Sequence, residues 1–276
     1  MNGRRPLLRM IFAFAAISCV TPAPTSPLCT PIEGIDAVIK PGYLVVFGEV
    51  HGTNEVPAFI TDAVCAAAQK GWVHVGLEMP TGDSGLLQKF LRGKRDDGLR
   101  DSEFWHAKAP YGVTSQATLT MLTKLRDMEQ QGEPVDVFFF DDRVRRGADG
   151  RDQAMAETIS EKRRFAPQDI YLIVTGNYHA KKVVGAPFDA NKRWMANFLA
   201  ATDENLITLD IRNLPGTAWT CQEQTPGGPQ VCGSSRLGGA QRDDARAVKL
   251  VPVRELGYDG TYSVGTISAS RPVFPP

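Results

Sequence analysis

One stretch limits what this chain can fold into: Tyr43-Leu44-Val45-Val46-Phe47-Gly48-Glu49-Val50-His51-Gly52. β-Branched and aromatic residues run straight into Gly48, and the polar residues Glu49 and His51 follow, which is the pattern of a buried strand that ends at a site. In an α/β protein ligands gather just beyond the carboxyl ends of the strands, so an acid and an imidazole placed there are candidates for chemistry. The competing readings are a first-turn carboxylate for Glu49 and a loop-holding histidine for His51.

The same pattern recurs along the chain. Residues 56–69 have the apolar spacing of a helix, with Pro57 where a first turn tolerates it and Gly71 as its stop. The strand His74 to Leu77 follows. A strand, crossover helix and strand predict a parallel pair, so Glu78 should emerge at the same edge as Glu49. Residues 84–92 read as a short helix, and 115–131 as an amphipathic one with Leu119, Leu122, Leu125 and Met128 on one face. Val135 to Phe140 is a third strand, ending in Asp141 and Asp142, and a helix begins near Arg151. Ile170 to Val174 is a fourth strand that delivers Thr175-Gly176-Asn177-Tyr178-His179. A helix over 190–201 and a fifth strand from Leu206 to Ile211 complete the alternation.

At least five alternating strands and helices imply a three-layer α/β fold, a mainly parallel central sheet flanked by helices. Residues 41–276 suit a single domain of this kind. Within it, residues 213–246 are rich in Gly, Pro and Gln and read as an insertion over one face, while Tyr258 to Ser270 could add a last strand. Phe104, Trp105, His106 and Tyr111 form either a pocket wall or a small satellite core. Arg143, Arg145 and Arg146 form either an anion site or a solvated face.

Residues 1–18 differ in kind. Arg4, Arg5 and Arg9 precede an apolar run, 10–17, too short to span a bilayer, which predicts a secretory signal. Ala16-Ile17-Ser18-Cys19 resembles a bacterial lipobox, so lipidation at Cys19 is expected, with cleavage near Ala23 as the alternative. Residues 19–40 then serve as tether and lead-in, and the chain is expected in a bacterial cell envelope, lipid-anchored or periplasmic. Removing three of the 31 basic residues and none of the 31 acidic ones leaves a net charge of −3, which argues against a nucleic-acid partner. In an oxidising compartment the other four cysteines permit two disulfides. Cys221 and Cys232 flank the Gly/Pro-rich segment and suit a staple. Cys29 with Cys65 is the remainder, unless Cys65 is a buried free thiol.

Glu49, His51, Glu78 and His179 thus stand at three strand ends. Two imidazoles and two carboxylates on one rim can hold and deprotonate a water and protonate a leaving group. They are also adequate ligands for a divalent metal. No HExxH, paired CxxC or P-loop is present, and no Gly-x-Ser-x-Gly elbow, which disfavours a serine-triad hydrolase.

The pieces GEVHG at 48–52, GLEM at 76–79, RDQAMAETI at 151–159 and TGNYHAKKV at 175–183 resemble, in order, the motifs of the clan that joins ChaN-type haem-binding lipoproteins, erythromycin esterase-like enzymes and Tiki-type proteases. The tail YDGTYSVGTISASRP is similar to the closing segment of the esterase-like members. The resemblance spans about half the chain, roughly 43–185. It marks Glu49 and His51 as the first motif, Glu78 as the second acid, Arg151, Met155 and Glu157 as the helical motif, and His179 as the late histidine. Asn177 and Asp141 are supporting candidates beside them. In the esterase-like branch it implies a metal-independent hydrolase of a small-molecule ester, with no cofactor: His51 activates water, Glu49 and Glu78 orient and polarise, and His179 assists. Only Val50 separates Glu49 from His51, which is closer to the ChaN-like branch. That branch implies haem handling and a homodimer over stacked cofactors, with Tyr111, Tyr178 and His106 as ligand candidates. The Tiki-like branch implies a metal-dependent peptidase with Glu49, His51, Glu78 and His179 around the metal, although Glu49 departs from that branch's glycine-threonine opening.

Overall fold

A computed structural model describes residues 29–93, 98–107, 112–143, 150–225, 227–238, 246–252 and 257–274. The expected signal segment and Cys19, Tyr111, Arg145 and Arg146 lie outside these residues.

Five strands alternate with helices as the sequence predicts: β1 (Leu44–Glu49), β2 (Val73–Pro80), β3 (Val135–Asp141), β4 (Ile170–Gly176) and β5 (Leu206–Leu214). Between them run α1 (Glu55–Ala68), α2 (Ser84–Arg92), α3 (Gln116–Gln130), α4 (Gly150–Arg164) and α5 (Met195–Ala200). A hairpin, β6 (Gly216–Glu223) and β7 (Gln230–Leu237), follows, then β8 (Ala247–Lys249) and β9 (Gly260–Thr266). The main sheet has the order β3-β2-β4-β1-β5-β9-β8, parallel throughout except for β8.

The apolar run of β1 is explained by its central position. Val45 and Phe47 point into a core shared with α1, α2 and α3. Leu44 and Val46 point the other way, against Met155 and Ile159 of α4 and Met195 and Leu199 of α5. A strand covered on both faces has no need of polar alternation. Each such side chain, wholly removed from water, contributes about 1.5–3 kcal/mol.

The lead-in packs on this body. Ile32, Ile35, Val38 and Ile39 are buried, Glu33 bridges Ala247, and a disulfide joins Cys29 to Cys65 of α1. Cys65 is therefore not a free thiol. Trp105 is in the core of the α1–α3 face, and Phe104 packs partly against that core.

Two elements differ from their expected form. The helix expected over 190–201 is confined to Met195–Ala200, because Lys192 is drawn to Asp152 and the Trp194 indole N–H donates to the Gly185 carbonyl. The Gly/Pro-rich insertion contains an ordered hairpin in which Cys221 lies directly opposite Cys232, and the two are bonded. Its base is fixed to the body through Trp219 N to Gly52 O (2.9 Å) and Thr217 N to Ile267 O (3.0 Å).

Candidate active site

The register of the sheet sets which strand ends meet. β4 lies between β2 and β1, and Glu49 pairs with Gly176, so the residues leaving all three strands share one edge. Two glycines let them approach. Gly52 takes a left-handed φ of 77° and lies under the Trp219 backbone, where a Cβ would collide with the carbonyl oxygen. At Gly176 a Cβ would come within 3.0 Å of His51 Nε2.

His51 is anchored by one nitrogen and open at the other. Its Nδ1 lies 2.8 Å from Glu49 Oε1, and Nε2 faces Glu78 Oε2 at 3.7 Å. A carboxylate can only accept, so Nδ1 carries a proton and donates it to Glu49. Burial alone would lower the imidazole, but the charges of Glu49 and Glu78 and the hydrogen bond to Glu49 outweigh it and push it up to about 9.

Glu78, with 7% of its surface exposed, is the hub. Oε2 accepts from Thr175 Oγ1 and Gly176 N, each at 2.7 Å, and Oε1 accepts from Arg151 Nη2 at 2.6 Å. Burial opposes its ionisation, yet the His179 and His51 rings, the Arg151 guanidinium and the Gly176 N–H together hold it well below the usual carboxylate range. A small cavity of about 20 Å³, lined by both Glu49 and Glu78 along with Met79, Met121 and Val174, lies beside the pair.

Arg151, in the first turn of α4, joins the halves of the cluster. Its Nε and Nη2 hold the fully buried Asp141 at 2.9 and 3.0 Å, and Nη1 lies 3.2 Å from His179 Nε2. Burial would lower the guanidinium, but Asp141 and Glu78 raise it further above its ordinary value. Arginine only donates, so His179 Nε2 must accept and its proton sits on Nδ1, which donates to Asp152 Oδ1 at 2.6 Å. Asp152 also accepts from Met195 N (2.9 Å) and Lys192 Nζ (2.6 Å), and these partners lower its pKa against the opposing effect of burial. His179 is thus a positioning residue for Arg151.

The residues expected from the sequence divide accordingly. Glu49, His51, Glu78, His179, Arg151 and Asp141 come together. Asn177 ties strand ends: its N–H donates to the Glu49 carbonyl at 3.0 Å and its own carbonyl accepts the Tyr258 hydroxyl at 2.5 Å. Glu157 does not belong. At six residues beyond Arg151 it lies about 240° further round the helix, on the exposed face, with Gln153 as partner at 2.9 Å. Asp152 and Lys192 were not singled out from the sequence. A first-turn acid directly after Arg151 was the one local signal for Asp152, and Lys192 had none.

Of the haem candidates, His106 and Tyr178 stand apart from the His51–Glu78 cluster, and Tyr111 lies outside the described residues. His106 is exposed, spends Nε2 on the Arg100 carbonyl (2.7 Å) and stacks on Phe274. Tyr178 is 48% exposed. The four-residue metal set is also not built as one. Arg151 already supplies a cation between Glu78 and His179, and among the described residues no group of three or more His, Cys, Asp or Glu side chains is placed to hold a metal ion.

A mostly parallel sheet thus carries a buried His/Glu cluster at its carboxyl edge, and the class it belongs to is a three-layer α/β fold. Solved structures share this fold. A mutant of erythromycin esterase EreC in its open conformation matches at TM-score 0.63 and 11% identity over 84% of this chain and 92% of that one. A succinoglycan biosynthesis protein matches at TM-score 0.60 and 10% identity, covering 83% and 89% of the two chains. A Bacillus cereus protein matches at 0.55 and 9%, covering 87% and 92%. Identities this low show a shared fold. No family model and no curated protein matches the sequence.

Proposed function

We propose that this protein hydrolyses ester bonds with water activated at Nε2 of His51. The observation that carries the reading is the geometry of that ring, held at Nδ1 by Glu49 and open at Nε2 toward Glu78. A water between Nε2 and Glu78 Oε2 gives its proton to Nε2 as its oxygen attacks the ester carbonyl. Arg151 has five N–H donors, and its described partners use four of them. The fifth supports the carbonyl oxygen as negative charge develops there. Collapse of the tetrahedral species breaks the bond to the alkoxide, which takes the proton back from Nε2, leaving acid and alcohol. The shared fold with an erythromycin esterase supports this reaction class. Two disulfides support action in an oxidising envelope compartment.

The test is hydrolysis of 2-naphthyl acetate by the native protein and by His51→Ala. Loss of a general base is expected to lower turnover by about 10²–10⁴-fold while the circular dichroism spectrum is unchanged. Equal turnover in the two folded proteins refutes the reading.

A further inference from the structure

The loop that leaves His179 carries three large apolar side chains in water: Phe188 is 77% exposed, Val184 55% and Tyr178 48%. Exposed apolar residues scattered singly are ordinary, but Tyr178 and Phe188 gather around one buried ring, with Val184 on the same loop. Trp194, 4% exposed, lies 5.4 Å from the Tyr178 ring and 6.4 Å from the Phe188 ring, centroid to centroid. Its further neighbours are His179, edge-on at 6.0 Å, and the Lys192 ammonium, 5.1 Å over the ring. The group is therefore continuous with the reacting cluster.

The loop is also held firmly. Gly185 N donates to the Lys192 carbonyl at 2.8 Å, the Trp194 indole N–H to the Gly185 carbonyl at 3.1 Å, and Lys192 Nζ to Asp152, the same carboxylate that orients His179. Aromatic side chains fixed in water by buried anchors present a preorganised face, which lowers the ordering cost of binding. At the rim the Lys181 ammonium stands 4.2 Å over the Tyr178 ring; the Asp210 carboxylate acts on it electrostatically, but among the described residues no carboxylate is within ion-pair distance.

We infer that Tyr178, Val184 and Phe188, braced on Trp194, form a binding ledge for a flat, ring-bearing part of the ligand, and that Lys181 takes a carboxylate carried on that ring. This deepens the proposed hydrolase and rests on that reading: the ester would be one whose ring carries an anionic group close to the scissile bond. A small molecule is favoured over a protein partner because the ledge adjoins His179 and the one ammonium over the Tyr178 ring suits one carboxylate.

Binding can be read without turnover. 2-Naphthoate is titrated into the full protein and followed by tryptophan emission, since Trp194 is the ring beneath the ledge. Saturable quenching is expected, with Kd raised at least tenfold in Phe188→Ala and several-fold in Lys181→Gln. It should be unchanged in Val251→Ala, which removes an exposed apolar side chain elsewhere (62%). Phe188 is mostly in water, so its variant keeps the fold. No quenching, or an equal Kd in Phe188→Ala, overturns the ledge. His51→Ala should bind 2-naphthoate like the native protein. Normal binding with no ester turned over would therefore sink the hydrolase and leave the ledge, whereas turnover with unaltered binding in Phe188→Ala would do the reverse.

Discussion

Replacing Glu49 with Gln tests the electrostatics of the site with little change of shape. The Gln carbonyl can still accept the proton on His51 Nδ1, so the ring keeps its orientation and loses the adjacent charge. In the native protein His51 is pushed up to about 9 by Glu49 and Glu78. At pH 7, about two pH units below that value, only about 1% of the rings are neutral and able to take a proton from water. A carboxylate in hydrogen-bond contact accounts for about one to three pH units of such a rise. Without it the midpoint falls to between about 6 and about 8, and the neutral fraction at pH 7 climbs to between about 10% and about 90%. The weaker base lowers the plateau.

The assay is kcat/KM for 2-naphthyl acetate between pH 5.5 and 10. The native protein should climb about tenfold per pH unit and level near 9, whereas Glu49→Gln should level earlier and lower, so that the two curves converge or cross near neutrality. A native profile already flat at pH 7, or a variant with an unmoved midpoint, would refute the assignment of His51 as a base governed by Glu49. Stability gives an independent check. A histidine with a raised pKa stabilises the fold fully below its ordinary value of 6.5 and loses that contribution as the pH passes about 9. The amount is up to about 3 kcal/mol, at 1.36 kcal/mol per pH unit. Chemical unfolding should therefore show native stability declining across this range, and a shallower decline in Glu49→Gln.

Glu78→Gln removes the hub charge from beside Arg151, which keeps Asp141. Urea unfolding at neutral pH should show a loss of about 3 kcal/mol, the low end for breaking a buried ion pair, and an unchanged midpoint would mean that the pair contributes nothing. Asp152→Asn should leave KM nearly constant and lower kcat at least tenfold, through loss of the fixed His179 tautomer; a fall in stability with kcat intact would mark Asp152 as structural only. The two disulfides close loops with sequence separations of 36 and 11. Replacing Cys29 and Cys65 by Ser should cost about 4 kcal/mol and replacing Cys221 and Cys232 about 3, so equilibrium unfolding that ranks the pairs the other way would contradict the loop-entropy account.

The parts of this molecule that were legible in the sequence follow one physical rule. Parallel strands in consecutive crossover units all end at one edge, so the polar residues after each apolar run had to share that edge, and the adjacency of β2, β4 and β1 then brought them together. Glu49, His51, Glu78 and His179 were found in that way. The rule fails where no periodicity points to a partner. Arg151 reaches Glu78 across 73 residues, and Lys192 reaches Asp152 across 40, through a loop whose path is set by where Trp194 and Met195 pack. The β6–β7 hairpin was hidden because Gly, Pro and Gln dilute its alternation, while its register is fixed by Cys221 opposite Cys232 and by anchorage to Gly52. Helical phase alone sets Glu157 away from Arg151.

The unread residues share a character. Asp152 and Lys192 are buried charges, each costly unless the other is in place, and neither improves the helix or loop that carries it. Local rules explain why β1 is a strand and α4 a helix, but they give no reason for a lysine to be buried at position 192. Its reason is Asp152, and that of Asp152 is to hold the His179 proton on Nδ1 so that Nε2 can receive Arg151. A residue that is unfavourable by every local criterion, yet satisfied by a chain of partners ending at an open imidazole, is explained by the candidate site and not by the element that carries it.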